Sequence, residues 1–518
     1  MASLTTISIL LALSVPPGDI NTGLASIDAG PHVTDFKRHS SSAPVERLDF
    51  SGFSNAQPLS ADCVETPSRE VLGYLPYWEL DYANFRWDRL TTLAYFSARM
   101  DSAGEFADLN GWGNETSKAL RDEAHKHGVR FILTVVNFDS DSIDALVNDP
   151  AARSHAVDVM LDSVIEMGAD GVNIDFEGVP KTAKAGLVAF MQETTSAFHT
   201  AIPGSRVTMA TPAIDWNGAF DYDALADGCD GLMIMAYGYH WSKGNPGPLS
   251  PPQSGEIWSK YNLEWTIGDY FKWGKAENHH KFILGLPFYG RDWPSDGSAL
   301  PGEATDDSTY VPFWECAQRA ELRGGFLVDE HSLSTWFPEE VNGEWHQIWC
   351  DDGPSWASKL ALVEEYDLGG IGIWALGYDG NTSELWDAIG DALVTPCPAP
   401  DPEPDPVPEP DPVPEPDPVP EPDPSPVPEP GPETNSRTNL TPGSAAVTTT
   451  GGQTVTDGCQ AGPVGHPNMV MVLVFMIGLA LMRRRVSPQR ARDLVRPDRT
   501  SQARPAGNAG LDTRGGRY

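Results

Sequence analysis

The segment Asp170-Gly-Val-Asn-Ile-Asp-Phe-Glu177 alternates polar with apolar side chains. In a β-strand alternate side chains face the same way, so Asn173, Asp175 and Glu177 point together, and the apolar residues between them point to the opposite face. Two carboxylates and an amide are costly to bury without a function. Carboxylates this close raise one another's pKa, so that one stays protonated near neutral pH and can act as a general acid. The alternative is an acidic strand end that is solvated or bound to a cation.

On both sides of this segment, short apolar runs recur between polar or glycine-containing loops. The runs are Val71–Tyr77, Leu93–Ser97, Phe131–Asn137, Gly171–Phe176, Val207–Pro212, Gly231–Tyr237, Phe282–Tyr289 and Gly370–Leu376. Helical stretches separate them, and one has clear ends, with Asp149 before Pro150 and Gly168 after the last turn. Eight strands alternating with helices predict an α/β fold of the (β/α)8 TIM barrel type. A doubly wound open sheet is the alternative. The stretch 292–365 is too long for a loop and predicts a small insertion between strands seven and eight.

Composition divides the chain into five predicted regions. They are a candidate signal peptide (1–30), a disordered lead-in (31–66), the barrel (67–396), a linker (397–458) and a C-terminal tail (459–518). The apolar run Ile7–Val15 has the length of a signal-peptide core. The lead-in shows no sustained periodicity. In the linker, proline occupies every even position from Pro398 to Pro432, which excludes helix and sheet interior and predicts an extended stalk.

The C-terminal tail contains an apolar stretch, Met469–Met482, followed by Arg483–Arg485. The stretch is short for a spanning helix, which needs about 20 residues. Behind a stalk it has no core to join, so we expect a membrane helix with the arginines on the cytoplasmic side and the barrel outside. With Gly458-Cys459 ahead of it, the tail resembles the C-terminal sorting tails of myxobacterial surface proteins. We therefore expect an extracellular or cell-surface protein, anchored or processed at this tail.

Charge and cysteine content exclude several classes of protein. With 73 acidic and 35 basic residues, the formal net charge is −38, so a nucleic-acid partner is not expected. The six cysteines form no CxxC pair, which speaks against a zinc knuckle. The candidate disulfides are Cys316–Cys350 and Cys63–Cys397, although spacing does not fix the pairing. We expect no metal site, no cofactor and a monomeric chain.

The opening segment resembles the strand-four motif Asp-Gly-x-Asp-x-Asp-x-Glu of the family 18 glycoside hydrolases, the chitinase-like enzymes. Asn173 stands where the motif has an aspartate, as in the spore-cortex and cell-wall branch of the family. The resemblance implies that Glu177 protonates the glycosidic oxygen. It also implies that Asp175 orients the substrate's N-acetyl group, which attacks the anomeric carbon, and that Asn173 supports Asp175. Asp170 belongs to the same motif and is a candidate substrate-binding residue.

Further segments fit the same family, each on a separate predicted strand. Met235-Ala-Tyr237 resembles the motif Met-x-Tyr-Asp, which implies that Tyr237 holds the acetamido group, and Gly238 replaces the aspartate. The segments Gly73–Trp78, Leu286–Arg291 and Gly372–Gly377 resemble strands one, seven and eight. The other sugar contacts that the resemblance implies are Tyr74, Met235, Tyr289, Arg291 and Trp374, the last as an apolar floor. The Ser-x-Gly-Gly motif of strand three is missing, because the chain reads Leu133-Thr-Val-Val-Asn137.

The sequence therefore predicts a secreted or surface-anchored glycosidase. It would hydrolyse β-1,4 bonds beside N-acetylglucosamine in chitin, chitooligosaccharides or peptidoglycan by a retaining, substrate-assisted mechanism. One alternative is a catalytically silent, family-18-like lectin that binds the same sugars. Another is a surface adhesion protein with the barrel as scaffold. The presence of both Asp175 and Glu177 favours the enzyme.

Overall fold

The structure, a computed structural model, describes residues 30–44 and 66–395. Its strands are β1 (Glu70–Pro76), β2 (Thr92–Met100), β3 (Phe106–Asp108), β4 (Arg130–Asn137), β5 (Gly171–Phe176), β6 (Arg206–Pro212), β7 (Gly231–Met235), β8 (Phe282–Pro287), β9 (Tyr289–Ser295), β10 (Thr309–Pro312), β11 (Leu327–Val328), β12 (Thr335–Val341), β13 (Glu344–Trp349) and β14 (Gly370–Trp374). Its α-helices are α1 (Pro31–His39), α2 (Glu115–Lys126), α3 (Ser140–Asn148), α4 (Pro150–Met167), α5 (Lys184–Ala201), α6 (Tyr222–Gly228), α7 (Leu263–Trp273), α8 (Phe313–Leu322), α9 (Gly353–Glu365) and α10 (Glu384–Leu393).

Eight parallel strands close into a barrel. Their order is β1-β14-β8-β7-β6-β5-β4-β2, and β1 pairs with β2 to close the ring. Each of these strands lies within about two residues of a predicted apolar run, since strands of a parallel sheet are covered on both faces and are apolar almost throughout. The predicted TIM barrel is confirmed, and the open-sheet alternative is wrong. Because all eight strands run the same way, the residues that follow their C-terminal ends meet at one mouth of the barrel.

The helix ends have the chemistry that the sequence predicted. The Asp149 side chain accepts a hydrogen bond from the Ala151 backbone at the start of α4. Gly168 ends α4 in the left-handed region, with φ 65°, which glycine adopts without steric cost. Helix α2 begins at Glu115, where the Asn114 side chain caps it by accepting from Ser117 N.

The predicted insertion between the seventh and eighth barrel strands is confirmed. It is a five-stranded antiparallel sheet of order β10-β9-β13-β12-β11, with α8 beside it. A disulfide joins Cys316 on α8 to Cys350 directly after β13, as predicted. The other candidate pair, Cys63–Cys397, lies outside the described residues.

The predicted lead-in is wrong for its first part, because Pro31–His39 forms helix α1. A nine-residue helix is marginal alone and owes its stability to packing, and α1 packs across the barrel mouth, where His32, Val33 and Asp35 are buried. Apart from Gly30, the predicted signal peptide falls outside the part of the chain that the structure describes, as do the predicted linker and C-terminal tail. Within residues 30–44 and 66–395, no helix is both long and apolar enough to cross a membrane.

Candidate active site

The row of polar side chains on β5 lies in the barrel, as the alternation predicted. Asn173 is fully buried, and its side chain makes two hydrogen bonds to neighbouring strands. Its Oδ1 accepts from the Tyr74 hydroxyl on β1 at 3.1 Å, and its Nδ2 donates to Thr208 Oγ1 on β6 at 2.8 Å. An amide suits this position, because it both donates and accepts without a buried charge.

Asp175 and Glu177 stand at the C-terminal end of β5, at the barrel mouth. Asp175 is 0% exposed and Glu177 is 8% exposed. The Glu177 backbone N–H donates to Asn137 O at 3.1 Å, which ties the carboxylate-bearing residue to the end of β4. Asn137, at the end of the strand that lacks the usual strand-three motif, therefore helps to position Glu177.

Two tyrosine hydroxyls accompany these carboxylates. Burial, together with the negative charges of Asp175 and Glu177, raises the pKa of Tyr74 and of Tyr237 well above the ordinary value. Both hydroxyls therefore stay protonated and serve as hydrogen-bond donors. The Tyr289 ring lies 6.2 Å from the Tyr237 ring and stacks on Tyr310 at 4.9 Å, so it forms part of the same aromatic wall.

The other predicted contact residues lie on the strands around the mouth. Trp374 ends β14 and is fully buried, and its ring is 5.7 Å from that of Tyr74. Met235 ends β7, two residues before Tyr237. Arg291 on β9 donates from Nη1 to Ser308 Oγ at 3.2 Å. Among the described residues, Asp175 Oδ1 and Arg291 Nε are buried without a hydrogen-bond partner, and such atoms gain most from a bound ligand.

Asp170 does not reach the site, which corrects its assignment as a substrate-binding residue. It precedes β5, whereas Glu177 follows it, so the two lie at opposite ends of a strand about 20 Å long. Its Oδ2 is 2.7 Å from His125 Nε2 and accepts from Phe131 N at 2.7 Å. Asp170 therefore makes structural contacts at the end of the barrel opposite the mouth.

Gly238, at the position of the missing aspartate, has a φ of +80°. This left-handed conformation favours glycine, so the backbone itself explains the departure from the motif. The residues after it do not line the cleft with free polar groups. The Tyr239 hydroxyl is 2.6 Å from Thr266 Oγ1, and His240 Nδ1 is 3.0 Å from Asn245 O.

Sequence reasoning missed helix α1, whose residues occupy the site in this structure. His32 Nδ1 lies 2.9 Å from Asp175 Oδ2, and His32 Nε2 lies 2.6 Å from the Tyr237 hydroxyl. The spacing of His32, Asp35, Phe36 and His39 at i, i+3, i+4 and i+7 was the available signal of a one-sided helix. His32, Asp175 and Glu177 offer ligand atoms within 4.8 Å of one another, but both ring nitrogens of His32 already lie at hydrogen-bond distance from protein groups.

The comparisons with known proteins agree with this geometry. The model of the glycosyl hydrolases family 18 matches residues 70–379. A Bacillus subtilis protein named as a sporulation-specific glycosylase is 28% identical over 249 residues, which are 47% of this chain and 56% of that protein. The chain thus spans little more than half of that relative.

Two further proteins cover more of their own length. The human di-N-acetylchitobiase is 26% identical over 354 residues, covering 60% of this chain and 82% of that enzyme. A crystal structure of a chitinase from Cycas revoluta in complex with (GlcNAc)3 has a TM-score of 0.56 at 19% identity. It covers 62% of this chain and 99% of that chain, which shows a shared fold.

Proposed function

This chain belongs to family 18 of the glycosyl hydrolases and is a glycoside hydrolase, and from that premise we propose that it cleaves β-1,4 bonds next to N-acetylglucosamine. The substrate would be chitin, a chitooligosaccharide or the glycan of peptidoglycan. The observation that carries the proposal is the pair Asp175 and Glu177 at the barrel mouth, with the Tyr237 hydroxyl beside them. The name of one relative, a di-N-acetylchitobiase, supports an N-acetylated sugar substrate.

The proposed reaction retains the anomeric configuration in two displacements. In the first, the Glu177 carboxyl gives its proton to the glycosidic oxygen, the bond from C1 to that oxygen breaks, and the acetamido oxygen of the same sugar bonds to C1. Asp175 accepts a hydrogen bond from the acetamido N–H and balances the positive charge of the cyclic intermediate. The Tyr237 hydroxyl, kept protonated by its raised pKa, donates to the acetamido oxygen.

In the second displacement, the Glu177 carboxylate takes a proton from water, and the water oxygen attacks C1 on the face that the leaving group left. The ring of the intermediate opens, and the acetamido group is restored. Glu177 is thereby reprotonated for the next turnover. Trp374 would form the apolar floor under the reacting sugar, where an aromatic face contacts sugar C–H groups without demanding hydrogen bonds.

The location of the enzyme is part of the proposal. An apolar segment near the N-terminus, an acidic proline-rich segment and an apolar stretch before an arginine cluster support export and display at the cell surface. A monomeric barrel on such a stalk would reach an insoluble glycan outside the cell.

The test compares three substitutions in a chain that carries an inserted specific-protease site between residues 45 and 65, assayed after cleavage, because α1 fills the cleft. Glu177→Gln should lower kcat on N-acetylglucosamine oligomers and purified peptidoglycan by at least about 100-fold while binding persists, since a positioned general acid contributes about 10²–10⁴. Asp175→Asn should lower kcat similarly. Asp170→Asn is the matched control, because this carboxylate of the same segment lies at the opposite barrel end, and its kcat should stay close to that of the parent.

The products decide between the remaining alternatives. Release of the β-anomer, measured by NMR in the first minutes, supports the retaining mechanism, and release of the α-anomer contradicts it. Binding of both glycans with no release from either would favour the lectin. Equal turnover by Glu177→Gln and the parent would refute the assigned role of Glu177.

A further inference from the structure

Helix α1 occupies the pocket in which the reacting sugar would bind. The His32 ring stacks on Trp374 with centroids 3.8 Å apart and an interplanar angle of 30°. In the tautomer with its proton on Nδ1, it donates to Asp175 Oδ2 at 2.9 Å and accepts from the Tyr237 hydroxyl at 2.6 Å. These three residues are the floor and the two polar partners that the proposed mechanism assigns to the sugar and its acetamido group. The His32 imidazole thus resembles the acetamido group in being small and planar, with one hydrogen-bond donor and one acceptor.

The start of α1 covers Glu177 as well. Val33, in the first turn, donates its backbone N–H to Glu177 Oε1 at 3.1 Å. Such an N–H has no partner within the helix and carries the positive end of the helix dipole, so it suits a carboxylate. Gly30 lies so close that a Cβ built on it would overlap Glu177 Oε2. With α1 in place, Asp175 is 0% and Glu177 only 8% exposed, and a polysaccharide cannot reach them.

The rest of the helix continues along the cleft. The Trp374 indole N–H donates to Asp35 Oδ2 at 2.9 Å, and the Tyr378 hydroxyl donates to the same oxygen at 3.3 Å. His39 stacks on Trp78 with centroids 4.6 Å apart and planes 5° apart. Parallel stacking on the face of a partly buried tryptophan is also how a cleft holds a sugar ring. Only the opposite face of the helix, with Lys37, is exposed.

We propose that residues 30–44 are an autoinhibitory segment that fills the substrate cleft of its own barrel, with His32 in the place of the acetamido-bearing sugar. The inference rests on the proposed function, because it names the groups that His32 displaces as substrate contacts. Residues 45–65 join the segment to the barrel, and a short tether gives an effective concentration on the order of millimolar. Even a contact of micromolar intrinsic affinity would then keep the cleft occupied. Cutting the tether removes this advantage and activates the enzyme.

The first experiment uses the full chain with the protease site inserted between residues 45 and 65. Hydrolysis of an N-acetylglucosamine oligomer is measured before and after cleavage, followed by dilution, and the rate should rise at least about tenfold. Two substitutions in the uncleaved chain should raise the rate without any cleavage. Gly30→Ala places a methyl group against Glu177, and His32→Ala removes both hydrogen bonds and the stack on Trp374. Lys37→Ala, on the exposed face, is the matched control and should leave the uncleaved rate low.

The same variants also test whether the substitutions affect catalysis itself. After cleavage and dilution, residues 30–44 are gone, so the parent, Gly30→Ala and His32→Ala should share one kcat. A synthetic peptide of residues 30–44 should then raise KM without changing kcat, and the peptide with His32→Ala should not. An uncleaved parent that is as active as the cleaved chain, together with a peptide that does not compete, overturns the autoinhibition while leaving the proposed hydrolysis intact.

Binding measurements distinguish failure of the autoinhibition proposal from failure of the proposed hydrolysis. If no form of the chain hydrolyses any N-acetylglucosamine glycan, calorimetry of the cleaved chain with the peptide and with an N-acetylglucosamine trimer replaces the rate assay. Peptide and trimer that exclude one another support occlusion of the cleft, although the proposed reaction has failed. Simultaneous binding of both, or no binding of the peptide, overturns the inference.

Discussion

At the scale of single residues, the backbone conformation at position 238 determines which residue is favoured there. A Cβ on Gly238 would meet no heavy atom within 4 Å, so space does not exclude a side chain there. Its φ of +80° disfavours one instead, because a non-glycine residue in the left-handed region costs about 1–2 kcal/mol. We therefore do not expect that replacing Gly238 with the aspartate of the family motif would increase activity.

We expect Gly238→Asp to lower the free energy of unfolding by about 1–2 kcal/mol and to give no increase in kcat. The matched control is Gly268→Ala in helix α7, where an added Cβ also meets no neighbour and φ lies outside the left-handed region. There the methyl group should raise stability by about 0.5–1 kcal/mol, since alanine favours a helix interior. Urea unfolding of both variants measures the difference, and a stability of Gly238→Asp equal to that of the parent would contradict the argument.

At the scale of elements, buried charges join helix α8 to the strands of the insertion. Arg319 Nη2 lies 2.7 Å from Asp292 Oδ2 on β9 and 2.6 Å from Glu339 Oε2 on β12. Both carboxylates are only 10% exposed. Arg323 also reaches Glu339, but its side chain is 43% exposed. The Arg319 guanidinium therefore links two buried carboxylates that lie on separate strands.

Removing the central arginine should destabilise the insertion far more than removing the outer one. Arg319→Ala removes the cation that contacts both Asp292 and Glu339, and we expect a loss of about 1–3 kcal/mol, because Asp292 then keeps His346 and Glu339 keeps the more exposed Arg323 as weaker partners. Arg323→Ala, the control directly after the same helix, should cost less than about 1 kcal/mol, as exposed ion pairs do. Hydrogen exchange of β9 and β12 measures the local effect. Equal protection in the two variants would show that the network does not stabilise these strands.

The same scale shows what the sequence could predict. The eight barrel strands were evident because parallel strands are apolar almost throughout, and α4 because Asp149 and Gly168 mark its ends. The alternation in β5 identified the face of Asp175 and Glu177. Periodicity distinguishes faces and not ends, so the alternation alone does not separate Asp170 from Glu177. Their order along the chain does, because Asp170 precedes the strand and Glu177 follows it.

Helix α1 shows the limit of local signals. Nine residues form too short a helix to be stable alone, and its contacts join residues far apart in the chain, such as His32 with Asp175, 143 positions away. The one-sided spacing of His32, Asp35 and His39 indicates a helix that packs on something, but not on what. The surface that it covers exists only after the barrel has closed.

At the scale of the whole molecule, retention of the autoinhibitory segment should depend on pH through Asp35. Burial raises the pKa of the Asp35 carboxyl above its ordinary value, although the indole N–H of Trp374 and the charges of Arg38 and Arg291 oppose the rise. Glu79 faces the same region, and burial together with the charges of Asp81, Asp35 and Asp379 raises its pKa to about 7. In the released segment, Asp35 returns to an ordinary pKa near 3.8. Docking of the segment is therefore coupled to protonation of Asp35 at pH values between the ordinary pKa of Asp35 and its raised pKa in the docked state.

The sign of the effect follows from this uptake. Above the ordinary pKa of Asp35, each rise of one pH unit should weaken docking by at most about tenfold, and the effect ends above the raised pKa. Asp35→Asn keeps an oxygen that accepts from Trp374 but removes the titration. The ratio of the affinities of the parent peptide 30–44 and its Asp35→Asn form for the cleaved chain should therefore fall as pH rises from 4 to 7. Using the ratio cancels the titrating groups that do not interact with Asp35. Glu79→Gln in the cleaved chain removes the carboxyl whose pKa does respond to Asp35, and constant ionic strength keeps the screening of Arg38 and Arg291 unchanged. Calorimetric titrations at each pH measure it, and a ratio that rises with pH would show that the cleft favours the ionised Asp35.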